Sequence, residues 1–186
     1  MLSATFEDAL TFAVRRHAGQ LRKGTNIPYA THLLAVCSVV LEHGGDEEEA
    51  IAALLHDAVE DQKATLDEIR DRFGARVAEI VAGCSDTDVV PKPPWRERKE
   101  AYIAHLASAS PSTRLVSAAD KLHNARSILF DYRLHGEALW DRFSASRDET
   151  LWYYRSVVDA LRAAGSTPLV DELDRVVTEM EEIIGG

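Results

Sequence analysis

The stretch Leu54-Leu55-His56-Asp57-Ala58-Val59-Glu60-Asp61 places one imidazole and three carboxylates within six residues, 56 to 61, at the end of the apolar run Ala50-Ile51-Ala52-Ala53-Leu54-Leu55. On a helix, His56 and Glu60 lie four apart, as do Asp57 and Asp61, so the four form two adjacent stripes facing one way. Three carboxylates this close repel one another strongly in a low-dielectric setting. A bound cation relieves that repulsion, and imidazole with carboxylate suits a divalent ion such as manganese, iron or zinc. The rival reading is a solvated acidic helix end, but the flanking residues are too apolar for a solvated face.

Two further polar residues stand on otherwise apolar helix faces. His32 opens an apolar helix directly after the basic loop Gln20-Leu21-Arg22-Lys23-Gly24-Thr25-Asn26-Ile27-Pro28-Tyr29, and Asp120 sits among small residues in Ser117-Ala118-Ala119-Asp120-Lys121-Leu122-His123-Asn124. Four candidate metal ligands, His32, His56, Asp57 and Asp120, therefore come from three helices. Two neutral imidazoles and two carboxylates leave coordination positions open for water and substrate, as a hydrolytic site requires. Taken singly, His32 reads as a hydrogen-bonded core histidine and Asp120 as a cap or ion-pair partner; their company favours ligation.

The elements that must carry these residues are helical, and no strand pair is evident. Phe6, Ala9, Leu10, Ala13, Val14 and His17 repeat at helical spacing and predict a first helix ending near Gly19. Pro28 suits the start of a second helix through Leu41, stopped by Gly44-Gly45. Asp46 followed by Glu47, Glu48 and Glu49 predicts the N-terminus of a third, which delivers the acidic stretch. Thr65 to Glu68 predicts a capping box for a helix ending at Phe73-Gly74, and another helix follows from Ala75 to about Ala82. Cys84 to Trp95, with Pro91, Pro93 and Pro94, reads as an irregular connection. Helices are expected again over Arg96 to Ala109, from Pro111 through Phe130, around Glu137 to Phe143, from the capping box Ser146-Arg147-Asp148-Glu149 to Ala164, and from Thr167-Pro168 to the C-terminal glycines. The expectation is an all-α chain of about ten helices, residues 1–186 forming a single domain.

Composition narrows the partners. A formal charge of −10 argues against a nucleic-acid polymer or an anionic membrane surface, though not against a small anionic ligand met by local cations or a metal. Two cysteines, Cys37 and Cys84, provide neither a disulfide framework nor a paired zinc motif, which suggests a reducing compartment and structural thiols. The N-terminus has early acids and no basic n-region, unlike a signal peptide. The longest apolar run, Leu33 to Leu41, falls well short of the ~20 residues a membrane span needs. The expected location is the cytoplasm, and a homo-oligomer is left open.

Several stretches together carry a family resemblance. They are His17-Ala18-Gly19-Gln20-Leu21-Arg22-Lys23, Pro28-Tyr29-Ala30-Thr31-His32, Leu55-His56-Asp57-Ala58-Val59-Glu60-Asp61, Thr65-Leu66 to Phe73-Gly74, and Ala119-Asp120-Lys121-Leu122-His123-Asn124, with a weaker match at Glu149-Thr150-Leu151. In this order they resemble the HD-domain metal-dependent phosphohydrolases, named for a His-Asp pair. More narrowly, they are similar to the hydrolase domain of RelA/SpoT-type proteins and stand-alone small alarmone hydrolases of the metazoan SpoT-homologue kind. The resemblance implies an HD-domain helical bundle whose metal, usually manganese, is held by His32, His56, Asp57 and Asp120. It implies that Glu60 and Asp61 position or activate the attacking water, without saying which is the base. It also implies that Arg22 and Lys23 lie beside the nucleotide base and ribose, with Asn124 a polar contact to the nucleotide. Where the family often has a lysine two or three residues before the ligand aspartate, this chain has Ser117-Ala118-Ala119. Lys92, Arg98, Lys99 and Arg147 are then candidate phosphate contacts, each weighed against being a solvated surface charge. His17 reads as a core histidine; His43, His105, His123 and His135 read as surface or packing residues; Trp95, Trp140 and Trp152 as packing residues.

The implied activity is manganese-dependent removal of the 3′-pyrophosphate of guanosine tetra- and pentaphosphate. An alternative keeps the chemistry on an adenosine alarmone or on the 2′-phosphate of NADPH. A distant third is a nucleotide-binding module without catalysis, and no ligand or acid is missing to suggest it.

Overall fold

Side-chain caps open α-helices at Ser3, Asp46, Thr65, Ser110, Ser146 and Thr167 in the computed structural model, which describes residues 2–85 and 93–185. Among the described residues there are ten α-helices: α1 (Ala4–Arg16), α2 (Ala30–Glu42), α3 (Glu47–Leu55), α4 (Ala58–Gln62), α5 (Leu66–Phe73), α6 (Ala75–Cys84), α7 (Trp95–Ser108), α8 (Pro111–His135), α9 (Arg147–Ala164) and α10 (Pro168–Ile184). A 3₁₀ turn, Gly136–Arg142, joins α8 to α9. The all-α expectation holds. Of the proline-rich connection, residues 86–92, with Pro91 and Lys92 among them, lie outside the described residues.

Asp46 and Ser146 each form a reciprocal capping box, with Glu49 and Glu149. Pro111 and Pro168 stand in the first turns of α8 and α10, behind the caps Ser110 and Thr167. One expected capping box is half made, and one expected start is corrected. Thr65 Oγ accepts from the Glu68 N–H, but the Glu68 carboxylate pairs with Arg16 instead of returning to Thr65, so only half of that box forms. Pro28 does not open α2, because it is used to close the basic loop. It faces Leu21 in an isolated antiparallel bridge, and the Arg22 N–H donates to Ile27 O at 2.8 Å. The Tyr29 N–H donates to Gln20 O at 2.9 Å, and the helix begins one residue later, at Ala30.

The centre of the core is α3. Every residue from Ala50 to Leu55 is buried, and the helix packs against α1, α2, α6 and α8. Burying Leu54 and Leu55, both at 0% exposure, contributes roughly 1.5–3 kcal/mol each. This helix stops where the chemistry starts. His56 Nδ1 bonds Ala53 O at 2.8 Å, the carbonyl that a continuing helix would offer to the Asp57 N–H. Asp57 takes φ −97° and ψ −3°, and the short α4 restarts at Ala58. The acidic stretch is therefore two helices meeting at His56-Asp57, not one helix with two continuous stripes.

Lys63 ends α4 with φ 58°, the one non-glycine residue at positive φ among those described. A side chain in that region costs about 1–2 kcal/mol, partly offset in a glycine by its entropy loss. Lys63→Gly is expected to stabilise the fold by about 0.5–1 kcal/mol, read as a rise in thermal midpoint of a few degrees.

Around this centre, α8 runs for 25 residues and packs against α2, α6, α9 and α10. It ends at Gly136, φ 57°. Trp95, Trp140 and Trp152 are half-buried and pack into aromatic clusters, as expected of them. His43, His105 and His135 are exposed. Both cysteines are free thiols, Cys37 buried and Cys84 half-buried. No helix among the described residues is long and apolar enough to cross a membrane.

Candidate active site

His32 comes from the first turn of α2, His56 and Asp57 from the α3–α4 break, and Asp120 from the middle of α8. Their donor atoms converge. His32 Nε2 lies 3.2 Å from His56 Nε2, 3.5 Å from Asp57 Oδ2 and 3.2 Å from Asp120 Oδ1. His56 Nε2 lies 3.1 Å from Asp57 Oδ2 and 3.7 Å from Asp120 Oδ1. His32, His56 and Asp57 each offer a ligand atom within 4.8 Å of the others, and both imidazoles are buried. The four residues singled out from sequence therefore meet in one place.

The donor set fits a divalent cation. His56 Nδ1 is committed to Ala53 O, so in the neutral ring the Nε2 lone pair points at two carboxylates and a second imidazole. That face needs a positive charge. Without a metal, His56 itself supplies it: burial pushes its pKa down, but the Asp57 charge and the bonds to Asp120 and Asp57 outweigh burial and hold it well above the ordinary value. Burial likewise works to raise both carboxyls and loses. His56 and His32 hold Asp57 well below the usual range, and Lys121 with the two histidines does the same for Asp120.

Around the cluster is a shell of polar residues, several of which the sequence reading passed over. Tyr29 Oη donates to Asp57 Oδ2 at 2.5 Å, and its ring stacks on His17 with centroids 5.1 Å apart. Lys121 Nζ donates to Asp120 Oδ2 at 2.5 Å. Its side chain is 13% exposed, and the ammonium lies over the Tyr102 and Tyr153 rings. His123, expected to be a surface or packing residue, instead meets His32, the two Nδ1 atoms lying 2.8 Å apart. Burial, with His32 and Arg22 beside it, brings His123 down to about 4, so it is neutral at pH 7 and its Nδ1 can accept. The signal was available: positions 120, 123 and 124 fall on one face of a helix.

Asn124, expected to touch nucleotide, has both ends of its amide engaged within the protein. Its Nδ2 donates to Asp120 Oδ1 at 2.5 Å, and its Oδ1 accepts from Arg22 at 3.0 Å. It thereby links the basic loop to Asp120. Arg22 is half-buried and Lys23 exposed at the surface of that loop.

Glu60 and Asp61 both belong to α4, one turn beyond the break; Glu60 is half-buried and Asp61 exposed. Asp61 Oδ2 accepts from Gln20 Nε2 at 2.9 Å. His17 is a buried histidine, as expected, with Nδ1 2.6 Å from Gln20 Oε1. Burial keeps it below the ordinary histidine pKa. Of the candidate phosphate contacts, Lys99 Nζ stands 5.0 Å from the Tyr153 ring centre, on the ring that also neighbours Lys121. Arg98 donates to Pro93 O, and Arg147 pairs with Asp148 and Glu137. Lys92 is outside the described residues. At position 117, the buried serine hydroxyl accepts from Tyr102 Oη at 2.9 Å.

Comparison with known proteins matches the HD domain family over residues 9–150. Human guanosine-3′,5′-bis(diphosphate) 3′-pyrophosphohydrolase MESH1 is 37% identical over 129 residues, covering 68% of this chain and 70% of that protein. The Drosophila melanogaster protein of that name is 32% identical over 167 residues, 88% of each chain. Among solved structures, a metazoan orthologue of SpoT, described as hydrolysing ppGpp, superposes with a TM-score of 0.82 at 27% identity, covering 99% of this chain and 98% of that one.

Proposed function

We propose, from the premise that this chain belongs to the HD-domain family, that it is a metal-dependent phosphohydrolase which removes the 3′-pyrophosphate of guanosine tetra- and pentaphosphate. One observation carries the reading. The buried cluster of His32, His56, Asp57 and Asp120 is flanked by the acids of α4 and, through Asn124, by Arg22, in a chain similar over most of its length to proteins named for that reaction. Residues 1–186 act as one hydrolase domain, because α9 packs on α7 and α8, and α10 packs on α8, the helix that carries Asp120. The free cysteines suit a reducing cytoplasm.

His32, His56, Asp57 and Asp120 would hold a divalent cation, manganese in this reading, which when bound would supply positive charge against the phosphate oxygens and lower the pKa of water there. The chain's residues do the rest. Arg22 and Lys23 hold the nucleotide end of the substrate, and Lys99, on the Tyr153 side, offers charge to the phosphates. Glu60 or Asp61 accepts a proton from the water as its oxygen bonds to the phosphorus attached at the ribose 3′ oxygen. That phosphorus–oxygen bond breaks, the 3′ oxygen takes a proton, and GDP or GTP and pyrophosphate leave. Tyr29, Lys121 and Asn124 hold the two ligand carboxylates in place.

His123 supports the site from behind. For His32 to offer its Nε2 lone pair, its proton must sit on Nδ1, where His123 Nδ1 can accept it. His123→Phe is expected to weaken Mn²⁺ binding by about 10–100-fold, measured by calorimetric titration.

The deciding experiment is a substrate panel with added Mn²⁺: guanosine tetraphosphate, its adenosine counterpart and NADPH, each followed by product release. Pyrophosphate release fastest from the guanosine substrate supports the proposal. Faster turnover of the adenosine compound or of NADPH would overturn the guanosine assignment. No turnover of any compound, with metal bound, would leave a binding module.

A further inference from the structure

Gln20 sits at the neck of the basic loop and makes more contacts with the acid-bearing helix than a loop residue needs. Its Nε2 donates to Asp61 Oδ2 at 2.9 Å. Its Oε1 accepts from Gln62 Nε2 and lies 2.6 Å from His17 Nδ1. A carboxylate only accepts, so the amide group facing Asp61 must be the NH₂, and the oxygen must face His17 and Gln62. Both ends of the side chain are thus assigned by their partners. The backbone is tied as well: Gln20 O accepts from the Tyr29 N–H at 2.9 Å, and Tyr29 Oη donates to Asp57. The two residues closing the loop therefore grip two acids on successive turns, Asp57 and Asp61, whose backbones are joined by the Asp61 N–H to Asp57 O bond of 2.9 Å.

We infer that Gln20 is a positioning residue for the reaction: its carboxamide, braced by His17 and Gln62, fixes the carboxylate of Asp61 at the angle from which it takes the proton of the attacking water. The inference rests on the reading of Asp61 as one of the water-activating pair. An exposed carboxylate on a short helix would otherwise sample several rotamers, and most would be out of line. Coupling the acid to the loop neck also means that the residues holding the nucleotide and the residue serving the water share one anchor.

The test uses Gln20→Met, which keeps the length and removes both polar ends, and Gln20→Glu, which keeps the shape and cannot donate to Asp61. Both are expected to lower kcat by about 10–100-fold, the loss associated with an approximately 1 Å misplacement, with KM and Mn²⁺ affinity close to wild type; Gln20→Met also leaves the buried His17 Nδ1 without its partner and lowers the thermal midpoint by a few degrees. In an Asp61→Ala background, Gln20→Met is expected to add no further loss, because the two act as one unit. Additive losses, or a loss that follows metal affinity, would overturn the inference. If Asp61→Ala alone leaves kcat unchanged, the reading of Asp61 fails. If Asp61→Ala abolishes turnover and Gln20→Met does not lower it, the Gln20 inference fails alone. Crystal structures of wild type and Gln20→Met provide a readout independent of substrate. The Asp61 carboxylate is expected to shift by more than about 0.5 Å, the tolerance of a productive site, and an unmoved carboxylate would overturn the positioning role.

Discussion

His56→Ala is expected to lower pyrophosphate release from guanosine tetraphosphate on the order of 10³-fold, equivalent to about 4 kcal/mol of transition-state stabilisation, and to abolish tight Mn²⁺ binding. The geometry explains the size. His56 Nε2 is within 3.2 Å of His32 Nε2 and 3.1 Å of Asp57 Oδ2, so removing the ring takes a ligand from the middle of the cluster. It also frees the Ala53 carbonyl, which lets α3 continue into Asp57 and draws that carboxylate away from its partners. Asp57→Ala is expected to be as severe, because Asp57 faces both imidazoles. Circular dichroism and metal titration beside the activity assay separate a lost site from a lost fold. A His56→Ala protein with near wild-type turnover would refute the metal site.

Asp120→Ala is expected to have the largest effect on stability. Its carboxylate accepts from Lys121 and Asn124 and faces His32, and the side chains of Asp120 and Lys121 are only 10% and 13% exposed. Removing the acid strands the Lys121 ammonium among the Tyr102 and Tyr153 rings. An uncompensated buried charge costs about 3–5 kcal/mol, and relief of the repulsion between Asp120 and Asp57 offsets a little of it. For a chain of this length that is a fall of about 6–20 °C in melting temperature. Asp120→Leu combined with Lys121→Met removes both charges and is expected to recover most of the lost stability while remaining inactive. Calorimetry on the three proteins checks this, and an Asp120→Ala midpoint within a degree of wild type would contradict it.

Much of this was legible because the signals were local. Asp46, Ser146 and Thr167 announce their helices within four residues, and each stands at an observed cap. The acidic stretch on an apolar run announced a site for the same reason. The helix break at His56-Asp57 was not legible, since neither glycine nor proline marks it; the imidazole bonding Ala53 O causes it. Tyr29 and Gln20 looked like ordinary loop residues because their partners, Asp57 and Asp61, lie 28 and 41 positions away. Asn124 is a different case: its face on α8 was readable, but its two partners depend on how the loop packs.

The short bridge between Leu21 and Pro28, flanked by Gln20 and Tyr29, has an evolutionary meaning. Its fixed ends hold Asp57 and Asp61, and Arg22 reaches inward to Asn124, while Lys23, Gly24, Asn26 and Ile27 are exposed. The exposed tip, residues 23–27, is thus an exchangeable cassette. Its length and charge can diversify among descendants of one ancestral hydrolase, or be rewritten by an engineer, while the hydrolytic centre is inherited intact.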